Sequence, residues 1–303
     1  WIRSFDDTNS TDEGNSIQQT IDGGYILTGS TSSDSSLYDG WLIKTDSNGN
    51  ILWDYKYGGD GDDFFNDIQE TNDGGYIMAG GSSGALWLMK TNSMGEEEWS
   101  RTHKWDNGYD EAFSVKQTFD DGFILTGRTG SSSVYPCLWL LKTDSLGQEE
   151  WNDVWGENTN TWEFGTSVIQ TPDSGYVISG WVDDGDIGDG DIWLIKTDSL
   201  GQEEWLRVHG TTYREESSEV IATDDGGYAV IGNTWGFQDE WGNYRLASFL
   251  LKINSQGFEE WTMSHNTGQG EIFGRSIKQT NDGGYIISSN HSGDLWLIKT
   301  DQN

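Results

Sequence analysis

The chain of 303 residues contains Ser16-Ile-Gln-Gln-Thr20 followed by Asp22-Gly-Gly-Tyr-Ile-Leu-Thr-Gly29, and it repeats this stretch, with variations, six times. A variable segment follows each copy, and then a second stretch, which in the first copy is Trp41-Leu-Ile-Lys-Thr-Asp-Ser-Asn-Gly49 and leads to Trp53. The aromatic residue of the first stretch recurs every 47 to 57 residues, at Tyr25, Tyr76, Phe123, Tyr176, Tyr228 and Tyr285. Internal repeats of this length are typical of propellers and solenoids.

Each repeat predicts four short strands, which we call a to d in chain order. Residues 16–20 alternate polar and apolar side chains, as a short strand does, and the Asp-Gly-Gly sequence that follows predicts a tight hairpin turn into strand b. Residues 41–45 are rich in aromatic and β-branched side chains and predict strand c. Residues 46–49 have the preferences of a type I turn, so Trp53 lies on strand d.

The two glycines of the hairpin turn differ in how strictly the repeats keep them. The second is present in all six copies, as Gly24, Gly75, Gly122, Gly175, Gly227 and Gly284. The first is replaced by Asp121 in the third copy and by Ser174 in the fourth. We therefore expect the strict backbone requirement at the second glycine.

The sixth repeat stops at Asn303, where its strand d is due, and a matching segment stands at the start of the chain. Trp1-Ile-Arg-Ser-Phe5 resembles Trp53-Asp-Tyr-Lys-Tyr57 in its tryptophan and in the aromatic residue four positions later. This permutation predicts that the N-terminal strand joins the last blade and closes a ring, which a solenoid would not need. The expected fold is an all-β, six-bladed β-propeller with four antiparallel strands per blade.

We predict a single propeller domain over residues 1–303. Its repeats cover about 12–57, 58–103, 104–155, 156–209, 210–265, and 266–303 plus 1–5. The repeat resembles the Asp-Gly-Gly-Tyr propeller repeats of large secreted and surface proteins of archaea and Bacteroidetes, close to the delta-60 class. The resemblance covers the whole chain. It implies an extracellular or cell-surface location, and it carries no defined enzymatic activity.

The charge balance excludes some classes of partner. Seventeen basic residues against 51 acidic residues give a net charge of −34, which disfavours nucleic acids and anionic membranes because both attract Lys and Arg. No apolar run approaches the ~20 residues of a membrane-spanning helix, so we expect no membrane insertion. Asn9 and Asn290 lie in N-glycosylation sequons, whose use would depend on secretion.

The repeat accounts for most residues that could be reactive. His103, His209 and His265 each lie four residues after a strand-d tryptophan, so they occupy one structural position on three blades. A lysine ends strand c in every copy, as Lys44, Lys90, Lys142, Lys196, Lys252 and Lys299. Sixfold recurrence favours a structural ion pair within the blade. The sequence therefore indicates no catalytic residue and no organic cofactor.

The variable loops, b–c and d–a, share one face of a four-stranded blade, and loops on a rigid scaffold are where binding residues usually lie. A carboxylate stands just before strand a in each repeat, and we call this set the acidic crown: Asp12, Asp63, Asp110, Glu163, Glu215 and Glu271. We expect these residues around the mouth of the central channel. Either they bind a cation there or they cap backbone amides where the strands begin.

Aromatic residues outside the repeat positions concentrate in the loops of repeats three to five. They are Trp105, Trp162, Trp181, Trp235, Trp241, Tyr109, Tyr213 and Tyr244, with Tyr135 beside them. If exposed, such a sector indicates an interaction site. Flat rings beside carboxylates suit sugars, which offer C–H patches and hydroxyls together. The alternative is that these side chains are buried and anchor long loops.

The b–c loop of the fourth repeat is the strongest candidate for a metal site. It contains Asp183, Asp184, Asp186, Asp189 and Asp191. Ca²⁺ prefers several oxygen ligands on a flexible backbone, so we predict calcium binding here, although the spacing differs from that of an EF-hand.

The sequence leaves three functional hypotheses. The preferred one is an extracellular or cell-surface propeller, without enzymatic activity, that binds a glycan or a surface protein through the aromatic sector. The second is a glycoside hydrolase or lyase that uses two crown carboxylates as acid and base. The third is a structural module of a surface layer or filament.

Overall fold

The structure is a computed structural model of the chain. It describes all residues except 7–9, 33–36, 106–107, 131–134, 157–160, 184–189, 239–243, 267–270, 292–293 and 302–303. The described residues form antiparallel sheets, six in number and in tandem along the chain, and these are the blades of an all-β, six-bladed β-propeller. This part of the chain contains no helix that could cross a membrane. The predicted fold class is confirmed.

The chain divides into two compact units, Trp1–Val134 with Trp139–Asp153, and Tyr135–Leu138 with Val154–Asn303. The first unit holds three four-stranded blades, apart from the first residues of β11 and the last of β12. The first blade is β1 (Thr11–Gln19), β2 (Tyr25–Ser32), β3 (Asp39–Thr45) and β4 (Ile51–Tyr57). The second is β5 (Asp63–Glu70), β6 (Tyr76–Ser82), β7 (Ala85–Thr91) and β8 (Glu97–His103). The third is β9 (Glu111–Gln117), β10 (Phe123–Thr129), β11 (Cys137–Thr143) and β12 (Glu149–Trp155).

The second unit holds the remaining blades. The fourth is β13 (Trp162–Gln170), β14 (Tyr176–Asp183), β15 (Gly190–Thr197) and β16 (Glu203–His209). The fifth is β17 (Glu215–Ala222), β18 (Tyr228–Gln238), β19 (Tyr244–Ile253) and β20 (Glu259–His265). The sixth is β21 (Ile272–Gln279), β22 (Tyr285–His291) and β23 (Asp294–Lys299). In every blade consecutive strands pair in chain order.

Among the described residues the sheet of the sixth blade contains three strands, one fewer than the predicted four. Residues 1–6 form no strand, so the pairing of Trp1–Phe5 with the last blade stays a prediction. These residues do pack on the first blade. The ring of Trp1 lies 5.7 Å from that of Tyr25 in a T-shaped contact. A similar ring contact joins the second and third blades, where Trp99 of strand d lies 5.8 Å from Phe123, the counterpart of Tyr25.

Two further contacts of the N-terminal segment match those that strand d of the second blade makes. The guanidinium of Arg3 lies 5.7 Å from the ring of Trp1, the same distance as between Arg101 and Trp99. A Cβ on Gly49 would meet the ring of Trp1 at 2.5 Å, as one on Gly147 would meet Trp99. Within the first unit, Trp1 therefore contacts the first blade in the way that a strand-d tryptophan contacts the blade after it.

The second glycine of the hairpin turn is required for a steric reason. A Cβ on Gly24 would lie 2.2 Å from the carbonyl oxygen of Thr45 and 2.6 Å from Nζ of Lys44. Positive φ occurs one residue earlier, at Gly23 (81°), and at the replacements Asp121 (63°) and Ser174 (68°). The requirement thus falls at the glycine that all six repeats keep, but its cause is the close approach of the Thr45 carbonyl, with the lysine beside it, and not backbone conformation.

The recurring lysine is buried and ion-paired in the first five blades, as predicted, whereas Lys299 of the sixth blade is exposed and pairs with Asp282. Lys90 Nζ contacts Asp73 Oδ2 of the hairpin turn at 3.0 Å and Glu98 Oε2 of β8 at 3.0 Å. It also donates to the carbonyl of Thr91 at 2.9 Å. The same arrangement is present around Lys142, Lys196 and Lys252. These lysines join strands b, c and d of one blade, which is a structural role.

Neighbouring blades pack through apolar faces. Between the first two blades the core contains Ile26, Leu42, Phe65, Trp87 and Met89, all nearly inaccessible to solvent. Between the fourth and fifth it contains Ile192, Leu194, Val230, Phe249 and Leu251. The middle strands of the second blade, β6 and β7, are thus buried on both faces, because neighbouring blades cover both sides.

Candidate functional site

The acidic crown is mostly buried. Asp63, Asp110, Glu163 and Glu215 are each at most 4% exposed. Asp12 is half-buried, and Glu271 is exposed and lies one residue before β21. In that last blade Ile272 occupies the first strand position, so the series of buried carboxylates does not extend to it.

The buried crown carboxylates bind their own loops. Glu215 accepts hydrogen bonds from the amide and the hydroxyl of Thr211, at 2.8 and 2.9 Å, and from the hydroxyl of Thr234 on strand b at 2.6 Å. Asp110 accepts a hydrogen bond from Thr129, the residue equivalent to Thr234. Asp12 does so from Thr31 at 2.6 Å. These contacts match the capping role that the sequence analysis weighed against cation binding.

Burial also changes the acidity of two neighbouring carboxyls in the third blade. Loss of solvent raises the pKa of Asp110, although the hydroxyl of Thr129 opposes the shift. It also raises the pKa of Glu111, although Arg128 lies beside it at 2.6 Å and lowers it. Both groups are therefore harder to ionise than exposed carboxyls.

The predicted calcium loop is described only at its ends. Asp184, Asp186 and Asp189 lie outside the described residues. Asp183 Oδ2 lies 3.9 Å from Arg214, and the side chain of Asp191 lies against Gly210, where a Cβ would come within 1.6 Å of its Oδ1. Over the part of the chain that is described, no three His, Cys, Asp or Glu side chains lie close enough together to hold a metal ion.

The histidines occupy structural positions on separate blades. Nε2 of His209 lies 3.0 Å from the carbonyl of Gly257 on the next blade, and the hydroxyl of Tyr57 donates to Gly95 at the equivalent place. Burial lowers the pKa of His209, despite the opposing effect of the Gly257 carbonyl.

The aromatic residues of the predicted sector are partly exposed. Trp105, Tyr109, Tyr135 and Trp162 expose between 43 and 45% of their surface. Trp181, Tyr213 and Trp235 are half-buried. Trp241 lies outside the described residues, and Tyr244 is placed only as the strand partner of Gln238. Four of the described members are thus exposed, as an interaction site requires, and three are half-buried, as loop anchors are.

Four of these rings, together with Phe164, form a series in the second unit, which we call the aromatic row: Tyr135, Trp162, Phe164, Trp181 and Trp235. Tyr135 lies 6.1 Å from Trp162, and Trp162 lies 6.2 Å from Phe164. Phe164 stacks on Trp181 at 4.5 Å with an interplanar angle of 23°. The row therefore begins with two exposed rings and continues into the protein through Phe164.

Arg214 joins the last two members of the row. Its guanidinium lies 4.8 Å from the ring of Trp181 and 5.3 Å from that of Trp235. It also pairs with Glu216 at 2.6 Å and, at 3.9 Å, with Asp183. The cation fixes both indoles, and the two carboxylates compensate its charge. Sequence reasoning missed Arg214 and Phe164. The one available signal was an arginine between Tyr213 and Glu215 in a chain with few basic residues.

A smaller aromatic cluster lies in the first unit. Arg128 is 5.3 Å from the ring of Tyr109 and 6.0 Å from that of Phe113, and it pairs with Glu111. Trp105 lies in the loop that leads to this cluster. The predicted sector is thus two groups of aromatic residues, one in each unit.

Comparison with solved structures supports the fold. A protein of unknown function from Dyadobacter fermentans matches with a TM-score of 0.63 at 10% identity, covering 94% of this chain and 93% of its own. The β-propeller domain of the Trilobed protease from Pyrococcus furiosus, described as having an open velcro topology, matches with a TM-score of 0.52 at 9% identity, covering 96% and 82%. An ulvan lyase, from a new polysaccharide lyase family and bound to -[GlcA(1-4)Rha3S]-, matches with a TM-score of 0.53 at 9% identity, covering 95% and 84%. At these identities the matches indicate the propeller fold alone. No family model and no curated protein matches the sequence.

Proposed function

We propose that this protein binds a neutral glycan on the aromatic row, in an extracellular or cell-surface setting. The observation that carries the proposal is the continuity of the row, which begins with two exposed rings, Tyr135 and Trp162. Sugar rings present C–H patches that pack on aromatic faces, and their hydroxyls need polar partners. Glu216 and Asp183 beside Arg214 supply such partners at the other end of the row.

The charge of the protein favours a neutral glycan over an acidic one. The net charge is −34, so an anionic polysaccharide would meet a repulsive potential over most of the surface. The one cation in the row, Arg214, is already paired with two carboxylates. A neutral sugar meets neither obstacle.

An enzymatic function on the crown carboxylates is less well supported. A glycosidase needs two carboxyl groups that reach the substrate from opposite sides, whereas Asp110 and Glu163 are buried and hydrogen-bonded to threonines of their own blade. A polysaccharide lyase shares the fold at 9% identity, which is why a glycan hydrolysis and elimination assay belongs in the test. A role as a surface-layer module rests on the acidic composition alone.

The experiment is a glycan array with and without Ca²⁺, followed by titration of the best neutral oligosaccharide against variants and by an assay for hydrolysis or elimination of the glycans that bind. Trp162→Ala removes an exposed ring of the row and should weaken binding about thirtyfold or more, the effect of losing an anchor aromatic of ~2 kcal/mol. Because 44% of Trp162 is exposed, the melting temperature should change little.

Phe119→Ala is the matched control. Phe119 is an exposed aromatic residue in a hairpin turn of the first unit and is not a member of the row, so its loss should leave glycan affinity unchanged. If Trp162→Ala binds every array glycan as the parent does, the row is not the site. If no glycan on the array binds, and a surface protein binds the parent but not Trp162→Ala, the ligand is a protein and the glycan proposal is wrong.

A further inference from the structure

A cavity of about 170 Å³ lies between the fourth and fifth blades, within the second unit. Ile192, Phe249 and Leu251 form its apolar wall. Thr262 and Ser264 of β20 are exposed and line the cavity on the outer side. An apolar cavity of about 150 Å³ is large enough to hold benzene, so this one can hold a small ring.

Comparison of the six repeats explains why this cavity is present. The strand-c position of Phe249 holds tryptophan in the other five blades, as Trp41, Trp87, Trp139, Trp193 and Trp296. The fifth blade thus has a benzene ring where the others have an indole. Part of the space that an indole fills elsewhere is left beside Phe249, between the fourth and fifth blades.

The hydrogen-bond partner of the missing indole is still present. Trp87 Nε1 donates to Ser100 Oγ at 2.8 Å, thirteen residues further along the chain, and Trp41 Nε1 donates to Asp54 Oδ2 at 3.1 Å in the same way. Thirteen residues after Phe249 stands Thr262, which lines the cavity. Its hydroxyl donates to Glu259 Oε1 at 3.0 Å, and a hydroxyl oxygen that donates can still accept.

The neighbouring ring that covers the tryptophan in the second blade is absent in the fifth. Phe65 stacks on Trp87 at 4.3 Å and contacts Tyr57 at 6.2 Å. In the fifth blade Ser217 stands at the position of Phe65. Its hydroxyl donates to the carbonyl of Gly180 at 2.9 Å. Phe249 therefore has no stacked aromatic partner from strand a, and the space beside it stays open.

We propose that this cavity binds a small planar aromatic molecule with one ring N–H or O–H donor, a ligand of the indole or phenol class. The ring packs on Phe249 and Leu251, and the donor reaches Thr262 Oγ1. Glu215 and Glu259 also line the cavity, so an aromatic carboxylate is repelled and a neutral ligand is favoured. The site is separate from the aromatic row and does not depend on glycan binding.

The test uses 5-fluoroindole as the probe, followed by ¹⁹F NMR with the whole chain. Saturable binding is expected, with displacement by indole and phenol, weaker displacement by benzene, and none by indole-2-carboxylate. Phe249→Trp restores the residue of the other blades and fills the cavity. It should weaken 5-fluoroindole binding at least about tenfold, since the ligand must displace a packed side chain.

Thr262→Val gives a second measurement that does not depend on filling the core. It removes the hydroxyl oxygen that would accept the hydrogen bond and keeps the side-chain volume nearly constant. Indole binding should weaken about threefold to tenfold, which is the effect of one hydrogen bond. Benzene binding should stay unchanged, because benzene has no donor. Trp162→Ala, in the aromatic row, should bind the probe as the parent does. Absence of saturable binding, or equal affinity in the parent and both cavity variants, would overturn the proposal.

Discussion

Apolar side chains of the first and last blades are exposed, and we predict that closure of the ring covers them in solution. Ile17 of β1 is 62% exposed, whereas Ile68, at the same position in the second blade, is 4% exposed. Leu297 of β23 is 72% exposed, whereas the equivalent Leu42 is fully buried. Closure of the ring, with Trp1–Phe5 as the outer strand, would cover Ile17 in the way that Ile68 is covered in the second blade.

The free energy of this closure can be worked from the exposed side chains. Full burial of an aliphatic side chain contributes about 1.5–3 kcal/mol. Ile17, Leu295 and Leu297 retain between 62 and 86% of their exposure, so covering all three contributes about 4 kcal/mol in total. Pairing the free edge of β23 adds to this, because an unpaired edge strand is a liability.

The perturbation is a pair of matched substitutions, Ile17→Ala and Ile68→Ala, measured by urea unfolding. If the ring closes, both remove a buried isoleucine and each should cost about 2–4 kcal/mol of unfolding free energy. If Ile17 stays exposed, its substitution should cost no more than about 0.5 kcal/mol. Leu297→Ala and Leu42→Ala provide a second matched pair.

Deletion of Trp1–Phe5 tests the outer strand separately. It removes the contacts of Trp1 with Tyr25 and Gly49 and should lower the melting temperature clearly. A small cost for Ile17→Ala beside a large cost for Ile68→Ala would refute closure. A deletion variant that melts like the parent would refute the role of the N-terminal strand.

Two further predictions concern pH and calcium. The hydroxyl of Thr20 and then Lys44 lower the pKa of Asp22 to about 2, and the hydroxyl of Thr223 and then Lys252, against burial, do the same for Asp225. Because both pKa values are below those of the unfolded chain, about 4, their contribution is complete above pH 4 and is lost as the pH falls towards 2. Thermal unfolding at stepwise lower pH should show this decline, and a melting temperature constant from pH 5 to pH 2 would contradict it. Calcium binding by the loop of the fourth blade should raise the unfolding free energy by about 2.7 kcal/mol at a hundredfold excess over Kd, and a chelator that leaves the melting temperature unchanged in low-salt buffer would count against it.

The sequence by itself determined the blades, because their signals are local. A hairpin turn and its two strands are consecutive in the chain, so the recurrence of Asp-Gly-Gly-Tyr predicts each pair of strands without knowledge of the rest. The ion pair between Lys90 and Asp73 was predictable for the same reason, since strand pairing within one blade brings them together. Even Phe249 is visible as an exception in the repeat.

Only the tertiary structure decided what these residues do in space. The aromatic row draws on separate segments, and nothing in the spacing of Tyr135, Phe164 and Arg214 indicates that their side chains form one series. The burial of Glu215 depends on how the loop after β16 folds over it. The cavity beside Phe249 depends on Ser217 of the neighbouring strand turning towards Gly180. The alternation of side chains along a strand follows from local backbone geometry, so it can be read from the sequence. Loop contacts and cavities depend on packing between segments that are far apart in the chain, and the spacing of residues along the sequence does not indicate that packing.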